Sequence, residues 1–359
     1  MTVIESPSTG RSSGPVEAVL QEVVDGGVRC GVCLFRCVVP DGKRGRCGTR
    51  LNRGGRLHSL AYGIVGSISP NPIEKKPVYH YLPGTRWLSV GTYGCNFRCP
   101  GCQNWDLAHK EPLDCRGGYE RLSPEELADE ADGMGCAGVS WTFNEPAVWL
   151  EYVVDGAVAA QRRGLRTNVV TNGSFTVEAL DLLAPHLDVY RVDIKGFSDE
   201  TYRRLTGRGC LGGILDGARR AKHHWGMHVE VVTNVIPGIS DDVGELTALA
   251  AWIRDELDPD TPWHLTRFFP AHQLSDAPAT PVGLLEQVRS AALERGLRFV
   301  YLGNAPGHLA ENTWCPECGE LLIERAGLQV GSYRLLGGCC PACGESIPGV
   351  FPTARRGRL

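Results

Sequence analysis

Seven short runs rich in β-branched and aromatic residues alternate with stretches of helical length between Trp87 and Leu302. The runs are Trp87–Gly91, Gly138–Thr142, Arg166–Thr171, Val189–Ile194, His228–Asn234, Trp263–Phe268 and Arg298–Leu302. Between them the pattern predicts helices over Pro124–Asp132, Ala147–Arg163, Val177–Leu183, Ile214–His224, Asp242–Leu257 and Val282–Arg295. Ser123 with Glu126 three residues on forms a capping box that starts the first helix. Strand, helix, strand in this order means a parallel sheet, because parallel neighbours need a crossover connection. Right-handed crossovers then curl the sheet into a full or partial barrel. The fold class is α/β.

A barrel of this kind builds its chemistry at the C-terminal ends of its strands. Polar groups and glycines collect there: Asn144-Glu145-Pro146, Thr171-Asn172-Gly173, Asp193-Ile194-Lys195, Ile236-Pro237-Gly238 and the run His264-Leu265-Thr266-Arg267. Singly these are weak signals, since Asn-Gly is often a plain turn and a strand-end charge a surface ion pair. Their recurrence at one structural position predicts a rim that takes a polar ligand. The loop after the first strand adds Cys95, Cys99 and Cys102 in a C-x3-C-x2-C run. Three thiolates can hold three irons of a cubane cluster and leave the fourth open to a ligand, whereas a ferredoxin cluster is closed by four.

The chain has 15 cysteines in 359 residues, and no apolar N-terminal run of the kind that directs export, so metal sites are a better reading than disulfides. Twelve fall in three groups; Cys115, Cys136 and Cys210 stand apart and read as inert packing residues. Cys30, Cys33, Cys37 and Cys47 form a four-thiolate set, with zinc and a second iron–sulfur cluster both open. Cys315-Pro316-Glu317-Cys318-Gly319 and Cys340-Pro341-Ala342-Cys343-Gly344 repeat one knuckle, which suits a closed tetrahedral zinc site and leaves Cys339 as the spare.

A net charge of −4 and the lack of a basic stripe argue against nucleic acid as partner, and no apolar run is long enough to cross a bilayer. A cytoplasmic location follows as the expectation. The expected division is a disordered leader (1–28), an N-terminal cysteine-cluster segment (29–85), the barrel (86–305) and a zinc-ribbon-like segment (306–359). The basic tail from Ala354 to Leu359 reads as solvated charge.

The Cys95–Cys102 run in its strand-alternating setting resembles the radical SAM superfamily. More narrowly, the chain is similar to the radical SAM proteins of the AmmeMemoRadiSam system, relatives of the pyruvate formate-lyase activating enzymes. The narrower likeness rests on Asn71-Pro72-Ile73-Glu74-Lys75-Lys76-Pro77-Val78-Tyr79-His80-Tyr81-Leu82-Pro83-Gly84, on Cys102-Gln103-Asn104-Trp105, and on Phe143-Asn144-Glu145-Pro146. Trp263-His264-Leu265-Thr266-Arg267-Phe268, Tyr301-Leu302-Gly303-Asn304 and both terminal cysteine sets agree too; it spans roughly residues 29 to 350.

The resemblance implies a radical SAM partial barrel and a [4Fe-4S] cluster on Cys95, Cys99 and Cys102. It also implies S-adenosylmethionine (SAM), which one electron cleaves to a 5′-deoxyadenosyl radical. It implies that Glu145, beside Asn144, receives the methionine amine and that Thr171 and Asn172 meet the methionine end or ribose. Asp193 and Lys195 match an Asp-x-Lys pair, with Lys195 toward the methionine carboxylate. Pro237 and Gly238 match a turn near adenine. His264 and Arg267 are candidates for ribose or substrate contact, with a hydrogen-bonded inward barrel residue as the other reading of His264. No catalytic residue beyond the cluster is assigned.

Two positions depart from the family pattern. Gly101 stands where an aromatic ring usually lies on adenine, leaving Phe97 or Trp105 to supply one. Phe143-Asn144 replaces two glycines ahead of Glu145. The implied partners are an electron donor such as ferredoxin or flavodoxin, and Memo-like and AMMECR-type pathway proteins, which point to a small-molecule substrate. One alternative is a glycyl-radical enzyme activase acting on a protein. Another, of a different class, is a non-enzymatic zinc-binding adapter.

Overall fold

The computed structural model describes residues 15–112 and 119–352. Cys115, residues 1–14 of the expected leader and the basic tail lie outside the described residues.

Eight strands form one sheet in chain order. They are β1 (Ser67–Pro72), β2 (Arg86–Gly91), β3 (Gly138–Trp141), β4 (Arg166–Thr171), β5 (Val189–Asp193), β6 (His228–Val235), β7 (Trp263–Arg267) and β8 (Val300–Gly303). From β2 to β8 every pairing is parallel, and β1 adds an antiparallel edge to β2. β8 and β1 do not pair, so the sheet is an open partial barrel. All seven expected strands are present. β1 was expected in the N-terminal segment; its backbone bonds to β2 place it in the barrel, which therefore begins before residue 86.

The expected helices form with small adjustments. Ser123 caps Pro124–Gly133 with both bonds of the box in place. Pro146–Trp149 is a 3-10 turn that runs into Leu150–Arg162. The segments Leu211–Arg219 and Val243–Trp252 each end in one wide π turn, Arg220–His224 and Ile253–Leu257. A further helix, Asp199–Thr206, was not expected; Ser198 caps it and Gly207, at φ +79°, ends it in the left-handed conformation glycine favours.

Residues 16–28, expected in the leader, are ordered as strand. Val16–Glu17 pairs with Arg56–Ser59, and Gln21–Val24 pairs with Gly27–Cys30. The pairing partners lie up to about forty residues away, beyond the reach of local composition. The segment carrying Cys30–Cys47 packs on the barrel's rim. Thr176 donates to the Gly31 carbonyl at 2.6 Å, and Leu34 N–H donates to the Ser174 carbonyl at 2.9 Å.

Beneath the sheet the chain from Ile73 to Leu82 is held by Glu230 of β6. Its carboxylate, fully buried, accepts the amides of Tyr79 and His80 at 2.8–3.0 Å and the Nε2–H of His228 (2.8 Å) and His264 (2.6 Å). Burial pulls the His264 ring down, so it donates as a neutral imidazole. His80 in turn bonds Tyr301 at 2.6 Å and the Pro348 carbonyl at 2.8 Å. Arg325, over the Tyr79 ring at 4.0 Å, ties the C-terminal sheet Thr313–Trp314, Leu321–Ala326 and Gln329–Tyr333 to the same strap. Among the described residues no helix is long and apolar enough to cross a membrane.

Candidate functional site

A cavity of about 370 Å³ opens at the C-terminal ends of β2 to β6. Cys95, Cys99 and Cys102 line it together with Asn144, Glu145, Asn172, Asp193 and Lys195. The rim inferred from strand ends is thus one wall. Burial raises all three thiols, a cost that a bound cation reverses by taking the thiolate. That donor set, three half-buried thiols lining one cavity, fits an iron–sulfur cluster with an open position.

The loop that carries the trio is pinned from β3. Asn144 Nδ2 donates to the Gly94 carbonyl at 2.8 Å, and Asn144 Oδ1 accepts Thr92 N–H at 3.2 Å. This is what the replacement of a glycine by Asn144 does here: it braces the cysteine loop. Phe143 takes φ +71°, unusual for a bulky residue, and places its ring beneath the Lys76 ammonium at 4.8 Å. Gly94 has φ +91° and no room for a side chain, since a Cβ would stand 2.6 Å from the Cys47 carbonyl oxygen. The two cysteine loops therefore touch.

Glu145 is fixed by three donors. Oε1 accepts Ala147 N–H (2.9 Å) and Thr171 Oγ1–H (2.8 Å), and Oε2 accepts Asn172 N–H (2.7 Å). Oε2, with one protein donor, keeps acceptor capacity for a ligand. Burial lifts the carboxyl to about 7 against the pull of those bonds. Thr171 serves by orienting Glu145 and does not itself line the cavity. Asn172 Nδ2 donates to Asn96 Oδ1 at 2.9 Å, and Asn96 donates on to Ser174 at 2.6 Å. Asp193 bonds Lys195 Nζ at 3.1 Å and also Arg191. Burial opposes the Lys195 charge, but Asp193 and Cys99 raise it, so the ammonium persists.

Besides Thr171, three expected contacts lie off the cavity wall. His264 is 1% exposed, stacked on Tyr301 and bonded to Glu230, so it is the inward structural residue. Arg267 donates to the Thr280 carbonyl at 2.7 Å and lies over Phe269. Gly238 turns at φ +72° with its carbonyl taken by Arg204. At Gly101 a Cβ would stand 2.9 Å from Phe268 Cε2, so Phe268 fills the space a side chain there would need. Of the two rings offered in its place, Phe97 lines the cavity, whereas Trp105 is half exposed and stacked on His272. Sequence reasoning missed Lys76, Arg191 and Asn234 on the wall. Arg191 had a signal, a charge inside the apolar strand Val-Tyr-Arg-Val-Asp; Lys76 had none in periodicity or spacing.

The two terminal cysteine sets differ in geometry. In the C-terminal set all four sulfurs lie within 4.8 Å of one another, Cys315 to Cys343 and Cys318 to Cys340 at 3.6 Å. The two knuckles have the same bonds: Cys315 and Cys340 each donate to the residue five on and accept from Gly319 or Gly344. Cys339 stays outside this group. Cys30, Cys33, Cys37 and Cys47 instead ring a pocket with Phe35, Arg46, Arg50 and Asn96.

Residues 89–250 match the family model described as the radical SAM superfamily. The chain is 39% identical over 339 residues to an uncharacterized protein of Methanocaldococcus jannaschii, covering 92% of this chain and 98% of that one. It is 27% identical over 212 residues to a pyruvate formate-lyase-activating enzyme of Clostridium pasteurianum, covering 56% of this chain and 77% of that one. Among solved structures, a radical SAM methyltransferase from Sphaerobacter thermophilus aligns with a TM-score of 0.46 at 18% identity, over 67% of this chain and 71% of that one.

Proposed function

The chain belongs to the radical SAM superfamily, is related to the pyruvate formate-lyase activases and is an enzyme; from that premise we propose that Cys95, Cys99 and Cys102 hold the [4Fe-4S] cluster and that SAM occupies the cavity beside them. The observation that carries this reading is the three half-buried thiols on one cavity wall with Glu145, Asp193 and Lys195. Held by these residues, the cluster and SAM would supply one-electron cleavage of the sulfur–C5′ bond and with it the power to take a hydrogen atom from the substrate.

The chain's own residues bind and orient. Glu145 Oε2 accepts from the methionine amine while Thr171 and Asn172 keep the carboxylate aimed. Lys195, kept charged by Asp193, takes the methionine carboxylate. Asn144 holds the cysteine loop in register with β3. Phe97 offers the cavity an apolar face.

The N-terminal set is read as a second iron–sulfur cluster. Its loop touches the central cysteine loop, Gly94 lying against the Cys47 carbonyl. Asn96 links the two sets, since it adjoins Cys95 and lines the pocket of Cys30, Cys33, Cys37 and Cys47. An electron passing from a ferredoxin or flavodoxin to the central cluster has a short path there. The closed C-terminal set is read as structural zinc, its sulfur spacing fitting a tetrahedral ion.

The substrate is read as a small molecule, in a pathway with Memo-like and AMMECR-type proteins; the sequence resemblance supports that link. The second reading, a protein substrate, draws on the relatives named pyruvate formate-lyase-activating enzyme. The test is anaerobic reconstitution, then dithionite or reduced flavodoxin with SAM. The wild type is expected to form 5′-deoxyadenosine and the Cys95→Ala variant none. Equal traces from both would refute the reading.

A further inference from the structure

Four cations and two carboxylates line the cavity: Lys75, Lys76, Arg191 and Lys195 against Glu145 and Asp193. Asp193 engages Arg191 and Lys195. Lys75 Nζ rests on Asn71 Oδ1 at 2.9 Å. Lys76 is different. It is 3% exposed, its Nζ makes no hydrogen bond or ion pair among the described residues, and its neighbours are the Phe143 ring and two more cations, Lys75 and Arg191. The Nε of Arg191 is likewise buried without a partner.

A buried ammonium beside like charges costs the fold stability. Burial lowers Lys76 to about 7, with Lys75 and Arg191 adding to the effect. Any packing role would be filled better by an apolar side chain of the same length. An unpaired cation on a cavity wall, next to a second buried cation with a spare donor, is a receptor for an anion. The SAM carboxylate is already provided for by Lys195, from the strand end of β5. Lys75 and Lys76 come from elsewhere, the 3-10 turn Ile73–Lys75 and the residue after it, which follow the antiparallel edge strand β1.

We propose that Lys76, with Lys75 and Arg191, forms a subsite for an anionic group of the substrate, a carboxylate or a phosphate, distinct from the contacts of the SAM methionine end. The proposal rests on the radical SAM reading of the cavity and adds the class of molecule that enters it beside SAM. Phe143, at positive φ, sets the face on which the ammonium lies.

The test uses the full-length, cluster-reconstituted protein loaded with SAM, titrated calorimetrically with inorganic phosphate in one arm and acetate in the other. The arm that saturates at one equivalent identifies the anion class. Lys76→Met is expected to weaken that binding at least about tenfold, Lys76→Arg to keep most of it, and SAM affinity in Lys76→Met to move by less than about twofold. Equal anion binding by wild type and Lys76→Met overturns the proposal, as does saturation by neither anion. So does a Lys76→Met variant that loses SAM affinity, because the lysine then serves the cofactor. A wild-type protein that forms no 5′-deoxyadenosine refutes the radical SAM reading instead, a separate readout on the same preparation.

Discussion

Arg50 Nη1 donates to both carboxylate oxygens of Glu151, at 2.6 and 2.7 Å, with both side chains buried. The pair joins the N-terminal cysteine segment to the helix Leu150–Arg162, and Glu151 also accepts the amide of Val19 at 2.9 Å. Glu151→Gln leaves a buried guanidinium without its counter-charge and is expected to cost about 3–5 kcal/mol, read from chemical denaturation. The double variant Arg50→Met/Glu151→Leu, which removes both charges, is expected to lose less than Glu151→Gln alone. A double variant as unstable as the sum of the singles would contradict this account of the pair.

The three cysteine sets predict different metal losses. A Cys95/Cys99/Cys102→Ala variant is expected to lose about half its iron and all cofactor cleavage, and to keep about one zinc per chain. The remaining iron should carry the spectrum of a four-thiolate cluster. If the iron vanishes entirely and two zincs per chain remain, the N-terminal set is a zinc knot. Cys318→Ser, by contrast, should release the zinc and loosen the C-terminal sheet while leaving the iron in place.

Gly101 and Phe268 are set too close for any side chain at 101, with a Cβ 2.9 Å from the ring and 3.2 Å from Leu274. Gly101→Ala is therefore expected to destabilise by about 1–3 kcal/mol and to lower iron retention, because residue 101 lies between two cluster cysteines. Adding Phe268→Leu shortens the obstructing ring and should recover most of the loss. A Gly101→Ala variant as stable as wild type shows that the two segments can part freely.

Glu230 is ionised against burial because His228, His264 and the amides of Tyr79 and His80 hold its charge, so its pKa lies well below the usual carboxylate range. A depressed carboxylate contributes stability that is fully present above the unfolded value of about 4.3 and is lost as pH falls toward the folded value. Glu230→Gln should cost about 2–4 kcal/mol at neutral pH. Its stability should also fall less steeply than that of wild type as pH drops below about 4. Parallel acid-denaturation curves for the two proteins would rule out Glu230 as the anchor of the strap.

Much of this molecule was legible along the chain. The seven parallel strands and their helices follow from periodicity, because a strand or helix buries a face set by its own residues. The C-terminal knuckles were legible for the same reason: each closes within five residues, with Gly319 and Gly344 at positive φ. The wall of Cys95, Cys99, Cys102, Glu145, Asp193 and Lys195 was found because parallel strands place their C-terminal ends on one rim.

Only the tertiary structure decided what long-range neighbours decide. Glu230 meets the Tyr79 amide across 151 residues and so turns His264 from a candidate ligand contact into a structural donor. Pairing with Arg56–Ser59 places Val16–Glu17, and β1 joins the barrel by bonding β2. The closeness of Phe268 to Gly101 and the isolation of Lys76 are properties of spaces between segments. A sequence specifies which groups are available and where its local elements begin. Which charge is left without a partner, and which cavity it faces, depends on how those elements close around one another.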